Sequence, residues 1–168
     1  THFPALDLAV WIETAREDLM LHRDAELAIK DAERRLRLHG GRLGTEQRAA
    51  VVEALPAWIP MEECGAPEGD PHLEAKLEAR DALRRFFSRS ARRVYITSEL
   101  AVYYPNEARF SPDVMAVTDV DPRARDRWVV SAEGKGLEWV LEVLVRGDRR
   151  KDLRRNVTRY AALGIQEY

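Results

Sequence analysis

The chain has 168 residues, 27 Lys and Arg against 29 Asp and Glu, a formal net charge of −2 and 45% hydrophobic residues. That balance excludes a disordered polar tail, and at this length folding buries roughly 70% of the unfolded surface without help from disulfides or metals. The single cysteine, Cys64, excludes an intrachain disulfide and a multi-cysteine zinc site, and no stretch approaches the roughly 20 apolar residues a membrane span needs.

The first forty residues read as helix. Leu8, Ile12, Ala15, Leu19, Ile29 and Leu36 fall on a three-four stripe, with a weak middle between His22 and Glu26 and a stop at Gly40-Gly41. A second helix, capped by Thr45, runs to about Leu55. His2, His22 and His39 are isolated and propose no site. Pro56, Pro60, Gly65, Pro67, Gly69 and Pro71 then mark a linker or wrapping loop. The division expected is a helical segment over 1–55, a linker over 56–71 and a second domain over 72–168.

Asp70-Pro71 starts a helix, with Asp as cap, Pro in the first turn, and Leu73, Leu77, Leu83 and Phe87 as the buried face. Its early His72 reads as a cap or packing residue. Residues 94–104, 113–118, 128–131 and 139–145 are rich in β-branched and aromatic residues and read as strands. Gly147-Asp148 turns into a helix with Leu153, Val157, Tyr160 and Ala161 on one face and Gly164 as terminator, and residues 165–168 begin another strand. This order predicts a small α/β domain with a mixed sheet. The chain opens at Thr1 without a Met and stops within an element, so it reads as trimmed at both ends, and with no basic-then-apolar leader in view the expected compartment is the cytoplasm.

Charge is unevenly spread. Residues 84–93 and 146–159 each sum to +5, leaving −12 for the remainder. Solvated Arg-rich helix faces explain this by default. A phosphate-binding surface follows only where a chemical site lies beside them.

Glu142 is the residue that asks for chemistry, because it interrupts the apolar run Trp139-Val140-Leu141-Glu142-Val143-Leu144-Val145. An unpaired carboxylate there costs several kcal/mol, roughly, so it needs a partner, a metal or a shifted pKa. A buried ion pair with an arginine meets the same need. Asp113, directly after Pro112 at the mouth of Val114-Met115-Ala116-Val117, makes the same argument more weakly, with a plain Pro-Asp turn as the alternative. Two acids on neighbouring strands can converge on a hard cation such as Mg²⁺, which takes oxygen ligands and few carboxylates.

Pro112-Asp113-Val114, then Leu141-Glu142-Val143-Leu144, then Asp152, Tyr160 and Gly164-Ile165-Gln166-Glu167-Tyr168 resemble the PD-(D/E)xK nuclease superfamily, and within it the Uma2 (DUF820) group of restriction-endonuclease-like proteins. The resemblance runs from about Asp70 to Tyr168. It implies a restriction-endonuclease-like mixed β-sheet flanked by helices, cutting phosphodiester bonds in DNA with Mg²⁺ or Mn²⁺. It assigns metal binding to Asp113 and Glu142, with the Val143 carbonyl as a third oxygen. The family continues beyond the Glu167-Tyr168 pair into a further strand.

The departures are specific. The superfamily lysine two residues after the Glu is Leu144 here, and the lysine that the Uma2 group carries on the following helix is Asn156. Asp152, Asn156 and Tyr160 share a helix face by their i, i+4, i+8 spacing. Asn156 is then expected to orient water or contact phosphate, and Lys151 to supply the positive charge, with Lys135 or an arginine as substitutes. Arg149, Arg150, Arg154 and Arg155 are expected to hold the DNA backbone. Glu99, Glu74 and Glu78 are lesser acidic candidates, and the resemblance also places His72 where the family often carries a histidine near the start of this helix. The alternative is a catalytically inactive nuclease fold that binds nucleic acid or a protein partner, and a plain structural domain is the third option. A cut across both strands of DNA favours a homodimer.

Overall fold

The computed structural model describes residues 30, 44–57, 59, 69–144 and 151–168, with the side chains of 151–153 outside that description. The helices expected in the first forty residues, and Cys64, Arg149 and Arg150, lie outside the described residues. Helix α1 spans Thr45–Ala54 and α2 spans Asp70–Phe87. Strands β1 (Val94–Thr97), β2 (Ala101–Tyr103), β3 (Val114–Thr118) and β4 (Arg127–Val129) follow. A one-turn helix α3 (Val130–Glu133) leads to β5 (Trp139–Leu141), then a π-helical turn (Lys151–Asn156) runs into α4 (Val157–Ala162).

β1, β3 and β5 form an antiparallel sheet in that spatial order, and β2 and β4 pair in parallel beside it. Glu167 adds a parallel bridge at Trp139, so the last residues extend the sheet beyond β5 as the sequence predicts. One face of the sheet packs on α2, where Ala79, Leu83 and Phe87 cover Ile96, Val114 and Ala116. The other face buries Tyr95, Met115, Val117, Val140, Trp128, Tyr160 and Ile165 in the main core. Helix α1 lies on the smaller sheet, with Val51 and Leu55 against Ala101, Tyr103 and Val129.

Several sequence expectations shift in detail. The N-caps are Gly44 and Gly69, one residue earlier than Thr45 and Asp70; the Gly44 N–H is bonded by Gln47 Oε1 at 2.9 Å, and Gly69 takes φ +78°, which glycine adopts without strain. The run 94–104 splits at Ser98-Glu99, where Glu99 has φ +54°. Ser131 belongs to α3 and not to a strand.

The buried stripe of α2 is the largest correction. Leu73 and Leu77 are exposed, and the face on the sheet carries Lys76, Ala79, Leu83 and Phe87. These follow the i, i+3, i+7, i+11 rhythm of one helix face, while Leu73 and Leu77 sit about a quarter-turn away. On α4, Val157 and Ala161 are likewise exposed while Asn156 and Tyr160 are buried. Entry through a π-helical turn turns the helix so that this polar pair faces inward.

Candidate active site

Strand β3 begins at Val114 because Pro112, which has no N–H, ends the ladder just before it. β5 stops opposite, with Leu141 paired to Val114. The next residues along each strand, Asp113 and Glu142, are therefore brought together where the ladder ends. Glu142 thus follows the strand instead of lying inside it, and both acids are partly buried.

The two acids are clasped. The Asp113 N–H donates to Glu142 Oε2 at 3.4 Å, and the Val143 N–H donates to Asp113 Oδ2 at 2.7 Å. The ring of His72, in the first turn of α2, donates from Nε2 to the same Asp113 oxygen at 3.0 Å. Tyr160, buried between the rings of Phe110 and Tyr168, donates its hydroxyl to Glu142 Oε1. Burial first, then the Glu142 charge and hydrogen bond, hold the Tyr160 phenol well above its usual pKa, so it remains a donor in neutral and alkaline solution.

His72 is therefore a partner of Asp113 and not a cap. Tyr160, read from the sequence as a packing residue, is also the hydrogen-bond donor to Glu142. The clue in the sequence was positional. His72 and Lys76 precede Ala79, Leu83 and Phe87 on one stripe, so the face turns polar as it reaches the Asp113 end of the sheet.

Asn156 is buried at the junction of the π-helical turn and α4 and makes no cap hydrogen bond, while Arg154 and Arg155 are exposed on the turn before it. Lys135 lies at the opposite end of β3, bonded to the Thr118 carbonyl at 2.6 Å and to Glu138 at 3.0 Å, so it is no substitute for the missing lysine. Glu74 and Glu78 are exposed, on the helix side away from the acids.

The donor set fits a small hard cation. Among the described residues, Asp113 Oδ1 carries no hydrogen bond, while Oδ2 is held from two sides. No group of three or more His, Cys, Asp and Glu side chains able to hold a metal occurs among the described residues. A pair of carboxylates agrees with Mg²⁺, which takes one or two carboxylates and completes its shell with water and phosphate.

The Uma2 family model, described as "Putative restriction endonuclease", matches residues 62–168, well over half of the chain. The chain belongs to the Uma2 family. Membership agrees with the mixed sheet flanked by helices. No curated protein and no solved structure matches the chain. No helix among the described residues is long and apolar enough to cross a membrane.

Proposed function

We propose that this Uma2 chain is a metal-dependent endonuclease that hydrolyses phosphodiester bonds in DNA. The observation that supports it best is the convergence of Asp113 and Glu142 where β3 and β5 stop pairing, each held by donors from a different helix. Asp113 and Glu142, with the Val143 carbonyl, would hold Mg²⁺ or Mn²⁺. A divalent cation supplies charge neutralisation on phosphate and a more acidic water.

The chain's own residues do the rest. His72 and the Val143 N–H hold the Asp113 carboxylate through Oδ2, which leaves Oδ1 for a metal. Tyr160 fixes Glu142, the kind of outer support whose loss weakens a metal site by about 10- to 100-fold. Asn156 orients water or phosphate through its amide, and Lys151 brings a cation to the attacking water. Arg149, Arg150, Arg154 and Arg155 hold the DNA backbone by charge, which makes affinity salt-dependent and poor in sequence information.

The test is cleavage of supercoiled plasmid and single-stranded DNA across a Mg²⁺ and Mn²⁺ titration. Cutting that requires metal and falls by about 10³-fold in both Asp113→Ala and Glu142→Ala supports the nuclease. Leu144 and Asn156, neutral where relatives of the superfamily carry lysine, favour a second reading in which the fold binds nucleic acid without cutting. Salt-sensitive DNA binding with no metal-dependent cutting by the intact protein is the result that selects it.

A further inference from the structure

Lys76 stands out among the described residues. It is 3% exposed, on the sheet-facing stripe of α2 where Ala79, Leu83 and Phe87 meet strand residues. Its hydrogen-bond partner is Glu99, whose side chain is 65% exposed. A desolvated ammonium bonded to a solvent-facing carboxylate is a poor structural device. Burying the charge costs several kcal/mol, roughly, and a water-screened partner offsets little of that. A helix that needed only to pack would carry an apolar residue at this position, as it does at the next three of the stripe.

The position of the pair connects it with the acids on both sides. Along α2, Lys76 lies one turn after His72, and Cβ atoms so spaced are about 5–6 Å apart. His72 is the residue that touches Asp113. Along the sheet, the Glu99 N–H donates to the Pro112 carbonyl at 3.0 Å, next to Asp113 in the chain. Glu99 is held there in the left-handed region at φ +54°, uncommon for a residue other than glycine. An ammonium has three N–H donors and Glu99 accepts one, so a phosphate oxygen can be met without breaking the pair.

We propose that Lys76 is the phosphate-binding cation of this site: Glu99 holds its ammonium on the α2 face one turn from His72, where it contacts a non-bridging oxygen of the DNA phosphodiester. This rests on the nuclease reading and adds to it the positive charge that Leu144 and Asn156 do not carry. Lys151 keeps its place at the attacking water.

The test compares wild type, Lys76→Met and Lys76→Arg in three measurements. The first is metal-dependent plasmid cleavage. The second is affinity for a short labelled duplex in Ca²⁺ across a salt series, and the third is thermal unfolding. Lys76→Met keeps the length and removes the charge, and the Glu99 it leaves behind is solvated. The expected result is a cleavage loss of about 10²- to 10³-fold, mainly in kcat, with partial recovery in Lys76→Arg. The slope of log affinity against log salt falls by about 0.9, one phosphate contact, while Tm is unchanged or raised.

A lowered Tm with unchanged cleavage and salt slope makes Lys76–Glu99 a structural pair and overturns the proposal, leaving the nuclease reading intact. If wild type binds DNA without cutting it, the salt slope alone decides, since it needs no turnover: a slope unchanged in Lys76→Met overturns the proposal and a lowered slope supports it. If wild type neither binds nor cuts, the nuclease reading fails and the phosphate assignment fails with it.

Discussion

At the Val114 end of the β3–β5 pair stand Asp113 and Glu142, and at the Thr118 end stand Asp119 and Glu138, one acid from each strand at either end. The distal acids are matched to full charges. Asp119 pairs with Arg92 at 2.9 Å, and Glu138 pairs with Lys135 at 3.0 Å while accepting the Thr118 hydroxyl and its N–H. The proximal acids are held by backbone N–H groups, an imidazole and a phenol, and the nearby buried ammonium of Lys76 is bonded to Glu99. The distal end pairs Asp119 and Glu138 with Arg92 and Lys135. The other holds two carboxylates in place with donors that orient them, an arrangement that suits the cation proposed above.

Glu142→Gln gives the largest expected effect in this comparison. In the nuclease reading it removes one metal-binding charge and relieves repulsion with Asp113, so metal-dependent cleavage falls by about 10³-fold while Tm holds or rises. A Tm that falls with unchanged cleavage makes the proximal end as structural as the distal one. Tyr160→Phe keeps the ring among Phe110 and Tyr168 and deletes only the donor to Glu142. Its cleavage is expected to drop about 10- to 100-fold, with the Mn²⁺ requirement shifted to higher concentration.

Glu138→Gln inverts the pattern. It is expected to cost about 1–2 kcal/mol in urea unfolding and to leave cleavage unchanged. Its pH dependence has a definite sign. Burial raises the Glu138 carboxyl, but the Thr118 donors and Lys135 outweigh it and leave its pKa below the usual value. The folded state therefore favours the ionised form. Its contribution is full at neutral pH and is lost as the pH drops below about 4, so wild type and Glu138→Gln converge in acid. Arg92→Ala is the smallest case: the pair with Asp119 is solvent-exposed, and no measurable change in Tm or cleavage is expected.

Much of the site was legible as residue types that did not suit their surroundings. Glu142 beside an apolar strand and Asp113 after a proline were visible because carboxylates are costly there, and the strand order around them follows from β-branched runs broken at Pro and Gly. The contacts that His72, Lys76 and Tyr160 make are not legible along the chain. Their local signals, a first-turn histidine, a helical lysine and a buried aromatic, are each ordinary, and their meaning depends on what lies across the helix–sheet interface. The α2 face departs from the sequence expectation for a related reason: Leu73 and Leu77 are apolar, but the helix rotates to bury the stripe that continues through Leu83 and Phe87.

Hydrophobic period, turn residues and short motifs are local along the chain, and they carry the strand order, the two misplaced carboxylates and the family resemblance. Long-range packing alone makes β3 and β5 neighbours in a register that sets Asp113 beside Glu142. It also makes α2 cross that end with His72 and Lys76 inward, while Lys135 is spent at the far end. Register and helix rotation are set by side chains far apart in sequence packing into one core, and no local pattern encodes that distance.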